Sequence, residues 1–132
     1  INLTRSSIAL AGPGAQYAIL SFANPVDGGV KFGPSDPLTS GFLNGQGMSN
    51  IYIKSTTRND TDFALNVNKA ERFKGRDITW GGFANGLRNA GGQFNSYNGL
   101  VMQSPTGSGM VTGSAGIRHE ASLNTDGSYQ QA

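Results

Sequence analysis

Glycine is the residue that most constrains this chain, because 20 of its 132 residues are Gly, spread from Gly12 to Gly127. Glycine adopts backbone conformations that other residues avoid, so this density predicts a chain that turns often and has few long regular elements. The same sequence contains no cysteine and a single histidine. A thiol nucleophile and a metal site built from several histidines are therefore excluded.

The chain is poor in both apolar and charged side chains. Hydrophobic residues make up 36% and charged residues 14% of the sequence, whereas an average domain has roughly 45–50% apolar residues, glycine included, and roughly 25% charged ones. Glycine restores the apolar share but adds no side chain that a core can bury. We therefore expect a single domain with a thin core that is ordered partly by neighbouring copies of itself.

The net charge of +2 is too small to require a nucleic-acid partner. No run of about 18 apolar residues is present, so the sequence predicts no membrane span. Gly107 and Gly109 are spaced as in a dinucleotide-binding fingerprint, but no third glycine follows at the required offset, and no other cofactor motif occurs. We expect neither a cofactor nor a catalytic centre.

The clearest secondary-structure signal is the alternation of apolar and other residues in two runs, 50–55 and 62–67. Such a period of two places one set of side chains on one face of a strand. The residues between the runs include Asn59 and Asp60, which tolerate tight turns. The pattern predicts a β-hairpin, and its core residues are Ile51, Ile53, Phe63, Leu65 and Val67.

The remaining segments predict a mainly β fold with short antiparallel strands, hairpins and long Gly-rich loops. A second hairpin is predicted over 94–102, around the dipeptide Asn98-Gly99. One short helix is predicted over 68–75, because Asn68 and Glu71 have capping-box spacing and Gly75 is a natural stop. We expect at most one or two such helices. Residues 1–103 form the predicted β-rich domain, and 104–132 an extended C-terminal arm.

A candidate ligand-binding surface is predicted near the loop at 81–97, where aromatic rings and amides stand on flexible backbone. Its residues are Trp80, Asn85, Arg88, Asn95 and Tyr97. Trp80 and Tyr97 would offer stacking surfaces for a sugar. The alternative is that Trp80 and the nearby Phe83 and Phe94 are core or subunit-interface residues.

Two further clusters have simpler explanations than a site. Residues 59–62 place two carboxylates and two other oxygen donors together, as Ca²⁺ prefers, but a polar hairpin tip is the simpler explanation, and we predict no metal. Four basic residues at 69–76 lie near Phe73 and Trp80, as in nucleic-acid sites. Glu71 and Asp77 dilute this charge, so a solvated surface is favoured.

The loop at 33–47, the strand-like run at 50–55 and the Gly/Ser/Thr/Asn-rich segment at 104–132 give the chain a resemblance to bacteriophage virion proteins of the tail-fibre, spike or capsid-decoration kind. The resemblance implies a β-rich homo-oligomer, with a trimer favoured, or a lattice component beside other virion proteins. Coiled-coil heptads and repeated strand units are not evident, so a fibre shaft is not expected.

These observations lead to one main hypothesis and two alternatives. The main hypothesis is a non-enzymatic structural or adhesive protein, located in a virion or outside the cell, which self-associates through strand faces and arms and presents its loops outward. The first alternative is a carbohydrate-binding or carbohydrate-active module that contacts a cell-surface glycan. The second is a coat protein that contacts nucleic acid through residues 69–76, which the weak charge makes the least favoured.

Overall fold

The computed structural model describes residues 1–15, 17–23, 28–36, 38, 41–103, 115–124 and 126–130, and over these ranges all regular elements are β-strands without any helix. The strands are β1 (Asn2–Leu3), β2 (Ala9–Ala11), β3 (Ile19–Phe22), β4 (Val30–Phe32), β5 (Leu43–Asn44), β6 (Gly47–Asn68), β7 (Ala70–Glu71), β8 (Lys74–Ala90), β9 (Ser96–Met102), β10 (Ile117–Glu120), β11 (Ser122–Leu123) and β12 (Tyr129–Gln130).

The main sheet is parallel throughout, which overturns the predicted antiparallel hairpins. Its order is β1-β4-β6-β8-β10, with β2 and β3 beside β6 and β9 beside β8. The two alternating runs at 50–55 and 62–67 do not pair with each other; both belong to β6 and pair with β8. The dipeptide Asn98-Gly99 lies inside β9 rather than at a hairpin turn. The mainly β character is confirmed.

The predicted helix at 68–75 is also wrong. This segment contains the last residue of β6, all of β7 and the first residues of β8. Lys69 and Arg72 have φ of 47° and 58°, in the left-handed region, so a right-handed helix cannot pass through them. The capping-box spacing of Asn68 and Glu71 therefore occurs in a chain that bends twice instead of coiling.

The pairing of β6 shows that the chain winds as a parallel β-solenoid. On one side, β6 pairs with β2 at 47–49, with β3 at 52–55 and with β4 at 65–67, while its other side pairs with β8 along most of its length. A single strand can meet three successive strands in this way only by bending around corners. Each coil of the chain therefore lies on the one before it.

The coils form three faces. Face A contains β1, β4, residues 65–68 of β6, residues 87–90 of β8, and β10. Face B contains β2, residues 47–49 and 74–76, and residues 96–98 of β9. Face C contains β3, residues 51–54 and 78–80, and residues 100–102 of β9. Side chains alternate between the interior and the outside along each face.

Paired residues of successive coils lie 27 positions apart between Gly47 and Lys74, but 22 apart between Leu65 and Leu87. The shift arises within β6, where the register changes between Lys54 and Phe63. Residues of this insertion bulge from the corner between faces C and A. From β8 to β9 the separation is again 22, as in Lys74 and Ser96. The insertion therefore obscures the 22-residue repeat, one coil in length, when only the sequence is inspected.

The core consists of apolar side chains stacked in rows along the solenoid axis. On face C, Leu20 aligns with Ile53, Trp80 and Met102. The other rows are Ile51, Ile78 and Leu100 on face C and Val30, Leu65 and Leu87 on face A. Of the predicted hairpin-core residues, Ile51, Ile53, Leu65 and Val67 are buried in this core, whereas Phe63 is partly exposed.

Left-handed residues stack at the corners as the apolar residues stack in the core. Asn50, Asp77 and Gly99 occupy the same place in three successive coils, between faces B and C, with φ of 57°, 52° and 65°. The corner before face B is built in the same way. It contains Gly45, Arg72 and Phe94 in successive coils, with φ of 69°, 58° and 55°. Corners built in register allow each coil to bend where its neighbours bend.

Part of the segment predicted as an arm belongs to the main sheet. Ile117–Glu120 forms β10 and pairs in parallel with residues 87–90 of β8. After it, β11 and β12 form an antiparallel pair, and Ser122 Oγ donates to Asn68 Oδ1 at 2.8 Å. Residues 104–114 lie outside the described residues, so the predicted domain boundary at 103 stays a prediction.

The substitution Gly99→Ala tests the corner stack. A Cβ on Gly99 would lie 2.3 Å from Asp77 Oδ1, and its φ of +65° is unfavourable for alanine. We expect the free energy of unfolding to fall by about 1–2 kcal/mol, as measured by urea denaturation. Gly116→Ala is the control, since its Cβ would meet only Met102 Sδ at 3.7 Å. Equal effects of the two substitutions would contradict the corner model.

Candidate functional site

A row of long polar side chains runs along the outside of face A. The pairing aligns five residues of successive coils, namely Asn2, Lys31, Asn66, Arg88 and Arg118. Their neighbours along β4, β6 and β8 are buried and, apart from Asn89, apolar, so alternation directs this row outward. We call it the polar ladder. Neighbouring members are separated by the strand spacing of ~4.8 Å.

Two clefts adjoin the polar ladder, and both are lined by Lys31, Asn66 and Arg88. The larger has a volume of about 440 Å³ and extends toward Asn2 and the loop after β4. The smaller, of about 320 Å³, extends toward Arg118 and the insertion of β6. Because they share these side chains, the two clefts lie on either side of the polar ladder, which runs parallel to the solenoid axis. We call the two clefts together with the ladder between them the elongated depression.

The charges differ between the two clefts. Among the described residues that line the larger cleft, Lys31 and Arg88 are the cations and none is acidic. The smaller cleft also contains Asp62 and Glu120. Glu120 forms an ion pair with Arg88 Nε, and Asp62 Oδ2 accepts hydrogen bonds from Asn59 and Thr61. The larger cleft is therefore the more positive of the two.

The amide of Asn66 lies between the two clefts with an unsatisfied acceptor. Its Oδ1 is buried, and no group in the described residues donates a hydrogen bond to it. A buried acceptor without a donor costs free energy, so a donor supplied from outside the chain would be stabilising there. The Arg118 guanidinium, further along the ladder, lies 5.3 Å from the centre of the Phe63 ring.

Among the sequence-predicted binding residues, only Arg88 lines this depression. Trp80 is 2% exposed, and its ring packs against the backbone of Gly86 in the core. The buried positions of Trp80 and Phe83 agree with the alternative that these are core residues. Phe94 is 76% exposed and so does not belong to the core. Sugar stacking on Trp80 finds no support in this arrangement.

Asn95 and Tyr97 belong to an internal hydrogen-bond network centred on Asn89. Asn89 Oδ1 accepts from Asn95 Nδ2 at 2.8 Å and from the Tyr97 hydroxyl at 2.9 Å. Asn95 Oδ1 in turn accepts from the backbone N–H of Phe73 at 2.7 Å, and Asn89 Nδ2 lies 2.9 Å from His119 Nδ1. Burial raises the pKa of the Tyr97 hydroxyl, which keeps it protonated as a donor.

Asn85 also connects elements of the fold. Its Nδ2 donates to the backbone oxygens of Asp60 and Thr61, and its Oδ1 accepts from the backbone N–H of Ala115. The insertion of β6 is thereby attached to β8 and to the chain that leads into β10. With Asn85 only 7% exposed, its amide holds adjacent coils together.

The basic residues at 69–76 do not form one patch. Lys69 is fully buried at a corner, and burial lowers its pKa while Asp36 and Asp126 act to raise it. Arg72 and Arg76 lie near the carboxylates of adjacent residues, at 3.8 Å and 3.5 Å. At 59–62, Arg58 Nε contacts Asp60 Oδ1 at 2.5 Å, and the described residues contain no cluster of three metal-ligating side chains.

The polar ladder was missed by sequence reasoning because its members are far apart in the chain. Asn66 and Arg88 are 22 residues apart, and Lys31 lies 35 residues before Asn66. Only the 22-residue coil repeat could have aligned any of them, and the insertion in β6 interrupts that repeat.

Comparison with known proteins adds no relative. No protein-family model, curated protein or solved structure matches the chain. Among the described residues, no helix is long and apolar enough to cross a membrane.

Substitutions in the Asn89 network test whether its members serve the fold. Asn89→Ala removes an acceptor from both Asn95 and Tyr97, so we expect a loss of about 2–3 kcal/mol in the free energy of unfolding. Tyr97→Phe removes one donor and keeps the ring, so a loss of about 1 kcal/mol is expected. Urea denaturation measures both. A Tyr97→Phe loss as large as that of Asn89→Ala would contradict the central place of Asn89.

Proposed function

We propose that this chain is a non-enzymatic structural and adhesive component of a virion or extracellular assembly. It associates with copies of itself through face C and presents face A outward. The virion location is inferred from the compositional resemblance described above. The observation that carries the proposal is an uncharged, largely apolar row on the outside of face C.

The apolar row consists of residues aligned across four coils by the pairing: Ile19, Tyr52, Thr79 and Val101. Ile19 and Val101 are each 51% exposed at the two ends of the row. On one side the apolar row is bordered by the outward row Ser21, Lys54 and Gly81. On the other side lies the corner with Asp77, whose carboxylate is paired with Arg76. The Tyr52 hydroxyl donates to Gln103 Oε1 at 2.8 Å, which fixes the ring on this face.

A second copy of the same face is the partner that fits this row. The side chains repeat at the strand spacing of ~4.8 Å, so a surface with the same repeat can pack against all of them in register. Face C of another copy supplies that repeat. Homo-oligomers usually have closed symmetry. Among such arrangements, the resemblance to virion proteins favours a trimer.

The substitution Val101→Lys tests self-association through face C. It places a charge at the exposed end of the apolar row without altering the interior. We expect the wild-type chain to be a multimer by size-exclusion chromatography with light scattering, and Val101→Lys to shift it to a monomer at the same concentration. Burial of an unpaired ammonium in the interface is the physical reason.

Ser96→Lys is the matched control, because Ser96 is exposed on the same strand but belongs to face B. It should leave the multimer unchanged. A wild-type chain that stays monomeric at all concentrations would overturn the proposal. Dissociation by Ser96→Lys as complete as that by Val101→Lys would place the interface elsewhere.

A further inference from the structure

We propose that the elongated depression on face A binds an acidic polysaccharide, with the chain of sugars lying along the solenoid axis. Lys31 and Arg88 would pair with its carboxylate or sulfate groups, and the Asn66 amide would bond its hydroxyls. The inference rests on the adhesive role proposed above, for which it names the class of target.

The shape of the depression fits a linear polymer. Its two clefts share Lys31, Asn66 and Arg88 and reach from Asn2 in the first coil to Arg118 in the last. The polar ladder between the clefts contains four steps of the strand spacing, a length of about 19 Å. A compact metabolite would occupy one cleft and leave the other empty, whereas an extended oligosaccharide contacts both.

The donors and acceptors fit alternating acids and hydroxyls. Lys31 and Arg88 are separated by two strand spacings, ~9.6 Å, with the Asn66 amide between them. This separation is on the scale of a disaccharide in an extended chain. Thr4 and Ser35 line the larger cleft with further hydroxyl groups. Anions are held by the cations, and neutral sugar hydroxyls by the amides and hydroxyls.

The unsatisfied Asn66 Oδ1 points independently to a ligand that donates hydrogen bonds. This oxygen is buried beside the cleft without a donor in the described residues. A sugar hydroxyl is both a donor and an acceptor, so it can satisfy Oδ1 once rotation of the Asn66 amide turns this oxygen into the cleft. Sulfate and phosphodiester oxygens at neutral pH accept only, and a ligand that offers only such groups would leave Oδ1 as it is.

Arg88 is held in place for this role by Glu120. The carboxylate accepts from Nε, which fixes the plane of the guanidinium and leaves the two terminal nitrogens to reach the clefts. Both side chains are about one-third exposed. Glu120 is therefore a positioning residue that also limits the positive charge of the smaller cleft.

A nucleic acid fits this surface less well. Asp62 and Glu120 both line the smaller cleft and would repel the closely spaced phosphates of a strand. Single-stranded nucleic acids are bound largely by stacking of bases on aromatic rings. In the lining of the depression, Phe32 is 1% exposed and Phe63 lies against Arg118, so neither ring offers an open stacking face.

Calorimetric titration of the 132-residue chain tests the inference with four probes: a heparin-derived decasaccharide, a polygalacturonate-derived decasaccharide, a neutral xylan oligosaccharide and a dT single strand of matched length. We expect one or both acidic oligosaccharides to bind, and the affinity to fall as salt screens the charges. The sulfated and carboxylated probes distinguish the two sources of negative charge.

Lys31→Gln should weaken this binding by about tenfold, the effect of one charge-assisted hydrogen bond. Lys74→Gln is the matched control, because it removes the same charge from the exposed outside of face B and should leave binding unchanged. Asn66→Asp, which puts a carboxylate between Lys31 and Arg88, should abolish binding. Circular dichroism and the unfolding midpoint show whether each variant is folded.

Several outcomes would overturn the inference: binding of neither acidic oligosaccharide, equal binding of the dT strand or the neutral oligosaccharide, or equal weakening by Lys74→Gln and Lys31→Gln. The monomeric variant Val101→Lys separates this test from that of the proposed function. Face A is intact in that variant, so its intrinsic affinity per chain should match the wild type whether or not the wild type self-associates.

Discussion

The in-register parallel pairing of β6 with β8 is the interaction on which the rest of the structure depends. It runs from Gly47 and Lys74 to Asn68 and Ala90, and so passes through all three faces. Each paired residue of one coil is thereby placed over an equivalent residue of the next. The rows of core residues, the left-handed corners and the polar ladder are all consequences of this alignment. A slip by one residue would exchange the interior and the outside of every face.

The solenoid also explains how a chain with few apolar residues has a buried hydrophobic core. Each coil contributes only one or two inward side chains per face, and these pack on one another along the axis as well as across the interior. Within the part of the chain that the structure describes, sixteen hydrophobic residues are buried in this way. The composition alone predicts a thin core that depends on neighbouring subunits. The narrow cross-section of the solenoid accounts for the same composition within a single chain.

The sequence was sufficient to predict strands but not their partners. Alternation at Ile51, Ile53, Leu65 and Val67 correctly identified inward side chains, because the period of two is a property of any strand. The same period occurs in parallel and antiparallel sheets, so it could not exclude a hairpin. Asn98-Gly99 was misinterpreted for a related reason. A left-handed glycine suits a hairpin turn and a solenoid corner equally well, and only the stacking on Asp77 distinguishes them.

The candidate site could not be predicted from the sequence for a different physical reason. A ladder residue is defined by its neighbours in the coils above and below, and the sequence separation between Lys31, Asn66 and Arg88 varies from 35 to 22. Local spacing therefore contains no sign of the site. Along each face, every second side chain points into the shared core and the others point outward. The outward side chains of one face can therefore differ in chemistry from those of another face. A solenoid can thus keep an apolar row on face C and a charged row on face A, and a substitution on one outer row leaves the chemistry of the other unchanged.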